Sequence, residues 1–266
     1  MENQLIIESL NGNKKSLEKL IKSIDGYVYN LSIRFLWNKS DAEDATQEIL
    51  IKVITNLGKF EEKSKFNTWV YRIAVNYLVN LKRKTSFEKT PISFSKFSKD
   101  LSNIKEPVSY DAPDKDLLDK EMKTGCTLAM LQCLDRELRM VFILGSVLKI
   151  KSNIASEILG ITPANFRKRL EKSRKLIGSF LGSNCGVYNP KNKCRCNNRI
   201  HNALIMKRID KNNLNFMEGI EEYNDEMEEL NSMTGIYQNH GTFKNSSDFL
   251  KQLNGILQNK KILDYQ

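Results

Sequence analysis

The sequence predicts an all-α protein: two small helical units joined by a flexible linker, with a mainly helical extension at the C-terminal end. Three observations carry this. Apolar residues recur at three- and four-residue spacing along most of the 266 residues, and no stretch keeps the two-residue alternation of a strand. Only 5 Pro and 13 Gly interrupt the pattern. Near residue 160 a turn and a cap stand together with the punctuation of two short helices meeting at an angle.

Taken in order, residues 5–37 place Leu17, Leu20, Ile21 and Ile24 on one helical stripe. Asp41 can cap the next helix, with Asp44 in its first turn near the positive end of the helix dipole. Ala45, Ile49, Leu50, Val53, Ile54 and Leu57 form its buried stripe, and Gly58 can end it. A polar loop, 59–67, follows. The helix expected over 68–84 buries Val70, Ile73, Ala74, Tyr77, Leu78 and Leu81. Ideal geometry sends Trp69, Arg72, Asn76 and Arg83 to its other side, a stripe of cations, an amide and an aromatic ring. A solvated face with one half-buried Trp is the plain alternative.

From Thr85 the character changes: Ser, Lys, Asp and three prolines, Pro91, Pro107 and Pro113, replace the apolar spacing. This reads as a linker, 85–125, between a first unit, 1–84, and a second, 126–182. In the second unit Ser152 can cap one helix, Gly160 supplies a turn, and Thr162 caps the next helix with Pro163 in its first position. Phe166, Leu170, Ser173 and Ile177 share one face of that helix. Opposite lie Ala164, Lys168, Lys172 and Lys175, flanked by Asn165 and Arg167.

The chain carries 42 Lys and Arg against 32 Asp and Glu, a net charge of +10, and residues 126–182 hold ten of these cations against four acids. A basic helix after a tight turn suits the phosphates of DNA. No apolar run approaches the length of a membrane span, so membrane insertion is not expected. The first ten residues, with Glu2 and Glu8, do not resemble a signal peptide, and the cytoplasm is the expected location. Five cysteines, an odd number in a long chain, argue against a secreted disulfide framework. No catalytic constellation and no Gly-rich phosphate loop is present, and only His201 and His240 offer imidazoles, so no enzyme is expected.

At this point the residues resemble a known family. DAEDATQEILIKVITNLGKF (41–60) resembles the core-polymerase-binding part of region 2 of sigma-70 family factors, and KFNTWVYRIAVNYLVNLKRK (65–84) its promoter-melting, −10-reading part. SNIASEILGITPANFRKRLEKSRKLI (152–177) resembles the region 4 helix-turn-helix that reads the −35 element. With no room for a region 3 domain between them, the chain is similar to the small extracytoplasmic-function (ECF) sigma factors, one subgroup of which carries a cysteine-bearing C-terminal extension. The resemblance implies that Asp41, Glu43, Asp44, Gln47 and Glu48 face core RNA polymerase. It implies that the loop from Phe60 to Phe66 helps hold a flipped base, and that Trp69, Arg72, Asn76 and Asn80 engage the opened strand. Promoter DNA, core polymerase and an anti-sigma factor are the implied partners. Where the family often has Ile-Ala before the turn, this chain has Ala155 and Ser156, whose hydroxyl can bond its own backbone. A stand-alone helix-turn-helix regulator with a ligand- or metal-sensing tail is the other reading, but it would not need the block 41–84.

The extension, 183–266, opens with Cys185, Cys194, Cys196 and His201, spaced C-x8-C-x-C-x4-H. Such donors suit zinc, or Cu(I) if thiolates dominate; unliganded thiols and a redox switch are the other readings, and no cofactor is required by the rest of the chain. Cys126 and Cys133 read as core. An acidic run follows, Glu221, Glu222, Asp225, Glu226, Glu228 and Glu229, and a last helix is expected from Ser247.

Overall fold

The computed structural model describes residues 2–81, 92–103, 110–217, 236–237 and 240–245. Arg83, the acidic run and the helix expected from Ser247 lie outside the described residues. Among the described residues every regular element is helical, apart from isolated bridge residues, among them the pair Cys185 and Cys194.

The first unit is a bundle of α1 (Glu2–Leu10), α2 (Lys14–Leu36), α3 (Lys39–Thr55) and α4 (Phe66–Asn80). The Asn13 side chain caps α2 by accepting from the Ser16 N–H. Asn38, not Asp41, caps α3: its Oδ1 accepts from Asp41 N at 2.9 Å, which leaves Asp41 in the first turn. Both are good capping types, and the chain's turn at Trp37, in the left-handed region at φ 61°, sets the start. Helix α3 ends at Thr55 in a 3-10 turn, Leu57–Lys59, so Gly58 lies past its end. The expected stripe is buried: Ala45, Ile49, Leu50, Val53, Ile54 and Leu57 pack on α2 and α4.

The second unit holds α6 (Lys115–Gln132), α7 (Arg136–Phe142) running into a π-helical turn (Ile143–Val147), α8 (Ser152–Leu159) and α9 (Pro163–Asn184). The stretch expected as a linker is partly helical. Helix α5 (Phe94–Ser102) sets Phe94 and Phe97 against Phe180 of α9, at 5.4 and 5.2 Å between ring centroids. Helix α6 begins at Lys115 rather than near Cys126. Its first half buries Leu118 against Ile200, Ala203, Ile209 and Leu214 of the extension, so its apolar partners come from far along the chain. Ile200 and Ala203 lie on α10 (Ile200–Ile205).

The two units share one continuous apolar core. Helix α2 packs on α6, and α4 packs on α7 and α8. Arg139 of α7 donates to the Phe35 carbonyl at the end of α2 at 2.9 Å. Arg136 donates to the last carbonyls of α4, Leu81 O at 2.8 Å and Leu78 O at 3.1 Å. Such charge-assisted bonds satisfy helix-end carbonyls that would otherwise lack partners.

The extension returns to this seam. Buried Glu121 on α6 accepts the backbone N–H groups of Asn215, Phe216 and Met217 at 2.9, 3.0 and 2.9 Å. Farther on, His240 Nε2 lies 2.7 Å from Thr127 Oγ1 of α6, the Arg34 cation of α2 acts on the same imidazole electrostatically, and the Tyr237 and Phe243 rings lie nearby. Burial first, then Arg34, lowers the His240 pKa to about 3. A histidine lowered on folding stabilises fully above its unfolded value near 6.5, and that stability is lost as pH falls from about 6.5 toward about 3. The chain should therefore lose about 2 kcal/mol between pH 6.5 and 5, read from denaturant midpoints. Burial raises the Asp25 and Glu121 carboxyls, which act in the opposite direction, so comparison with His240→Gln isolates the imidazole. Parallel pH profiles for the two proteins would contradict a neutral buried His240.

Candidate nucleic-acid interface

Two surfaces carry the residue types that nucleic acid requires. The first is a groove of about 420 Å³ between α3 and α4, lined by Lys52, Asn56, Lys59, Trp69, Ile73, Asn76 and Tyr77. Trp69 is half-buried and Asn76 exposed on the same side of α4. Beside them Phe60, Phe66 and Trp69 form an aromatic cluster with centroid separations of 5.4 to 5.8 Å. Phe66 is fully inside the bundle, whereas Phe60 keeps a half-buried edge at the loop. The Lys52 ammonium lies 5.8 Å from the Tyr77 ring centroid, and Lys59 Nζ donates to Asn56 Oδ1 at 3.0 Å.

Among the described residues no carboxylate lines this groove. Two cations can neutralise a phosphate backbone, two aromatic faces can stack bases, and amides can bond base edges, which is the chemistry of single-stranded nucleic-acid binding. Lys52, Asn56, Lys59 and Tyr77 are additions to the expected set. The first three form a polar row at i, i+4, i+7 that runs from the last turn of α3 through its C-cap into the 3-10 turn, and the sequence does contain it.

The other expected members of the α4 stripe go elsewhere. Arg72 turns to α8, where it pairs with Glu157 at 3.1 Å. Asn80 is exposed and donates to the carbonyl of Asn76, one turn back on its own helix. Ile73 and Tyr77, expected in the core, are half-buried and line the groove. Asp44 and Glu48 are exposed on α3, with Asp41, Glu43 and Gln47 half-buried beside them, so the expected acidic and amide residues stay at the surface.

The second surface is the α8–α9 pair. Gly160 takes φ 65°, where a side chain would be strained, and ends α8. Thr162 Oγ1 accepts from Asn165 N at 3.2 Å, and Pro163 opens α9. Ser152 is the first residue of α8 and makes no capping bond. Ala155 and Ser156 are buried, and Ser156 Oγ donates to Asn153 O at 2.8 Å, so the departure at this dipeptide is accommodated. Phe166, Leu170, Ser173 and Ile177 face the core. Thr162, Ala164, Asn165, Arg167, Lys168, Lys172 and Lys175 are exposed. Arg169 and Arg174 instead point back to Glu137 and Ser146, at 2.7 and 2.9 Å.

The cysteine segment folds as a closed knuckle at the end of α9. Gly186 N donates to Cys194 O, and the Asn189 and Asn192 amides donate to Gly182 O, at 3.0, 2.8 and 3.0 Å. Among the described residues no group of three or more His, Cys, Asp or Glu side chains is arranged to hold a metal ion. Cys185, Cys194, Cys196 and His201 form no such group, although the three thiols share one neighbourhood with Cys126. His201 rides on α10, while Cys196 is half-buried near Cys126 of α6. Burial, then the neighbouring Cys194 and Cys185, raises the Cys126 thiol; burial, Cys126 and Asp119 raise that of Cys196. Spacing alone had left Cys126 as core, although it belongs to this neighbourhood.

Residues 20–88 match the family described as Sigma-70 region 2. The chain is 24% identical to the RNA polymerase sigma-H factor of Pseudomonas aeruginosa over 184 residues, covering 68% of this chain and 93% of that protein. It is 24% identical to the ECF RNA polymerase sigma factor SigW of Bacillus subtilis over 171 residues, covering 64% and 91%. It is 26% identical to the ECF RNA polymerase sigma-E factor of Escherichia coli K12 over 188 residues, covering 66% and 93%. Among solved structures, CnrH in complex with the cytosolic domain of CnrY aligns with a TM-score of 0.48 at 17% identity, covering 68% of this chain and 96% of that one. About a third of the chain lies outside each of these matches. No described helix is long and apolar enough to cross a membrane.

Proposed function

We propose that the chain is an ECF sigma factor of the sigma-70 family, which directs core RNA polymerase to promoters, and we assign the surfaces that do the work. The acidic side of α3, with Asp41, Glu43, Asp44, Gln47 and Glu48, docks on the polymerase. The groove between α3 and α4 takes the opened −10 strand: Trp69 and Tyr77 stack bases, Asn76 reads an edge, and Lys52 and Lys59 hold phosphates. The exposed side of α9, led by Asn165 and Lys168, enters the major groove at the −35 element. A soluble protein acting beside the polymerase, with no catalysis of its own and an anti-sigma factor as a further partner, fits this reading.

The observation that carries it is the groove. Its aromatic, amide and cationic lining falls within residues 20–88, the segment matched to region 2. A stand-alone helix-turn-helix regulator has no use for it. The core-docking assignment is tested by Glu43→Lys combined with Asp44→Lys. These changes on the surface of α3 should leave helix content unchanged and weaken co-purification with core polymerase roughly tenfold or more, because like charges then meet across the contact. Undiminished association would remove this face from the interface.

A further inference from the structure

We infer that the C-terminal strap, residues 236–237 and 240–245, is an intramolecular clamp that locks the two DNA-reading units together and holds the sigma factor off its promoter. The strap lies in the seam between the units, with Ile236, Tyr237, His240 and Phe243 all buried. Its backbone is gripped by side chains of α2. Asn30 donates to Phe243 O at 2.7 Å and accepts from Phe243 N at 2.8 Å. Arg34 donates to Gly241 O at 2.8 Å, and its guanidinium lies 4.6 Å from the Phe243 ring centroid. Asn245 donates to Asp25 at 2.9 Å. The opposite wall is the second unit: Thr127 meets His240 at 2.7 Å, and Phe142 meets the Tyr237 ring at 5.1 Å between centroids. One short segment is thus bonded to α2 on one side and packed on α6 and α7 on the other.

The arrangement it spans cannot read a promoter. Elements centred near −10 and −35 lie on the order of 80 Å apart along duplex DNA at ~3.4 Å per base pair. In the structure α4 packs on α8, and α8 on α9. Helices in contact have axes ~8–10 Å apart, which puts α4 and α9 on the order of 20 Å apart. Arg72 is also committed to Glu157 of α8 instead of the strand. The units must separate for both elements to be engaged, and the strap opposes separation. Its grip is suited to release, because Arg34 offers a buried cation that regains water when the strap leaves.

This inference rests on the sigma-factor reading for its consequence but not for its mechanics, and one experiment separates them. Full-length Phe243→Asp is compared with the parent by small-angle scattering, and then with core polymerase on promoter templates. The radius of gyration should rise by several ångströms from the roughly 18 Å of a compact chain this long. Promoter-dependent transcription at limiting protein should rise about tenfold, the gain expected when a minor open state becomes the main one. Asn30→Ala should reproduce the opening if Phe243→Asp misfolds by circular dichroism. Glu157→Arg, which repels Arg72, should open the seam from its other end. An unchanged radius in both Phe243→Asp and Asn30→Ala overturns the clamp, whatever Glu157→Arg does. Opening accompanied by unchanged or lower transcription overturns inhibition. If neither parent nor variants transcribe with core polymerase, the functional reading fails while the scattering still decides the clamp.

Discussion

Lys168→Glu should cut −35-dependent transcription on the order of a hundredfold. Lys168 stands exposed near the start of α9, beyond the Thr162 cap and beside Asn165, where a recognition helix presents its side chains to the major groove. Losing its contact removes about 1–3 kcal/mol if it is made to a base. Placing a carboxylate against phosphates adds repulsion, and each 1.4 kcal/mol is about tenfold. The fold should survive, since the residue is outside the core. Lys168→Ala then separates two roles. A base contact relaxes sequence preference at one position, whereas a phosphate contact lowers affinity evenly and flattens the salt dependence. Wild-type promoter selectivity and salt slope in both variants would take Lys168 out of the interface.

Trp69→Ala should shorten the lifetime of the opened promoter by roughly 5- to 150-fold, the equivalent of about 1–3 kcal/mol of base stacking. Trp69 is the ring shared between the groove and the Phe60–Phe66 cluster. Its loss therefore also loosens the loop 60–66, and Trp69→Phe serves as the control that keeps an aromatic face. Asn76→Ala, one exposed amide in the same groove, should instead change which −10 sequences melt. Permanganate reactivity of −10 thymines reads both. Wild-type reactivity in Trp69→Ala would show that the strand is stacked elsewhere.

What could be read from the chain alone was local in its physics. The Gly160, Thr162 and Pro163 punctuation depends on backbone and cap chemistry within a few residues, and it appears as expected. The stripe on α3 packs onto neighbouring helices of one bundle and is equally regular. The elements that escaped are those whose partners are remote. Leu118 meets α10, Phe94 and Phe97 meet Phe180, and the strap meets Asn30 and Arg34 some two hundred residues earlier. Nothing local distinguishes Glu121, with three backbone N–H partners, from an exposed glutamate. In the groove, Trp69 and Asn76 were legible from helix phase, but Arg72 was not, because its direction is set by Glu157 on another unit. The cysteine spacing did not reveal that Cys126 of α6 joins Cys185, Cys194 and Cys196 in one neighbourhood, because that contact is made across the fold.

Run-off transcription with purified core polymerase on templates carrying genomic promoters tests the central assignment most directly. Core alone should give no discrete run-off product. Adding the full-length chain should produce discrete transcripts from a subset of templates, with start sites at fixed distance from shared −10 and −35 sequences. If the chain binds those templates without polymerase and yields no transcript with it, it is a DNA-binding regulator and not a sigma factor.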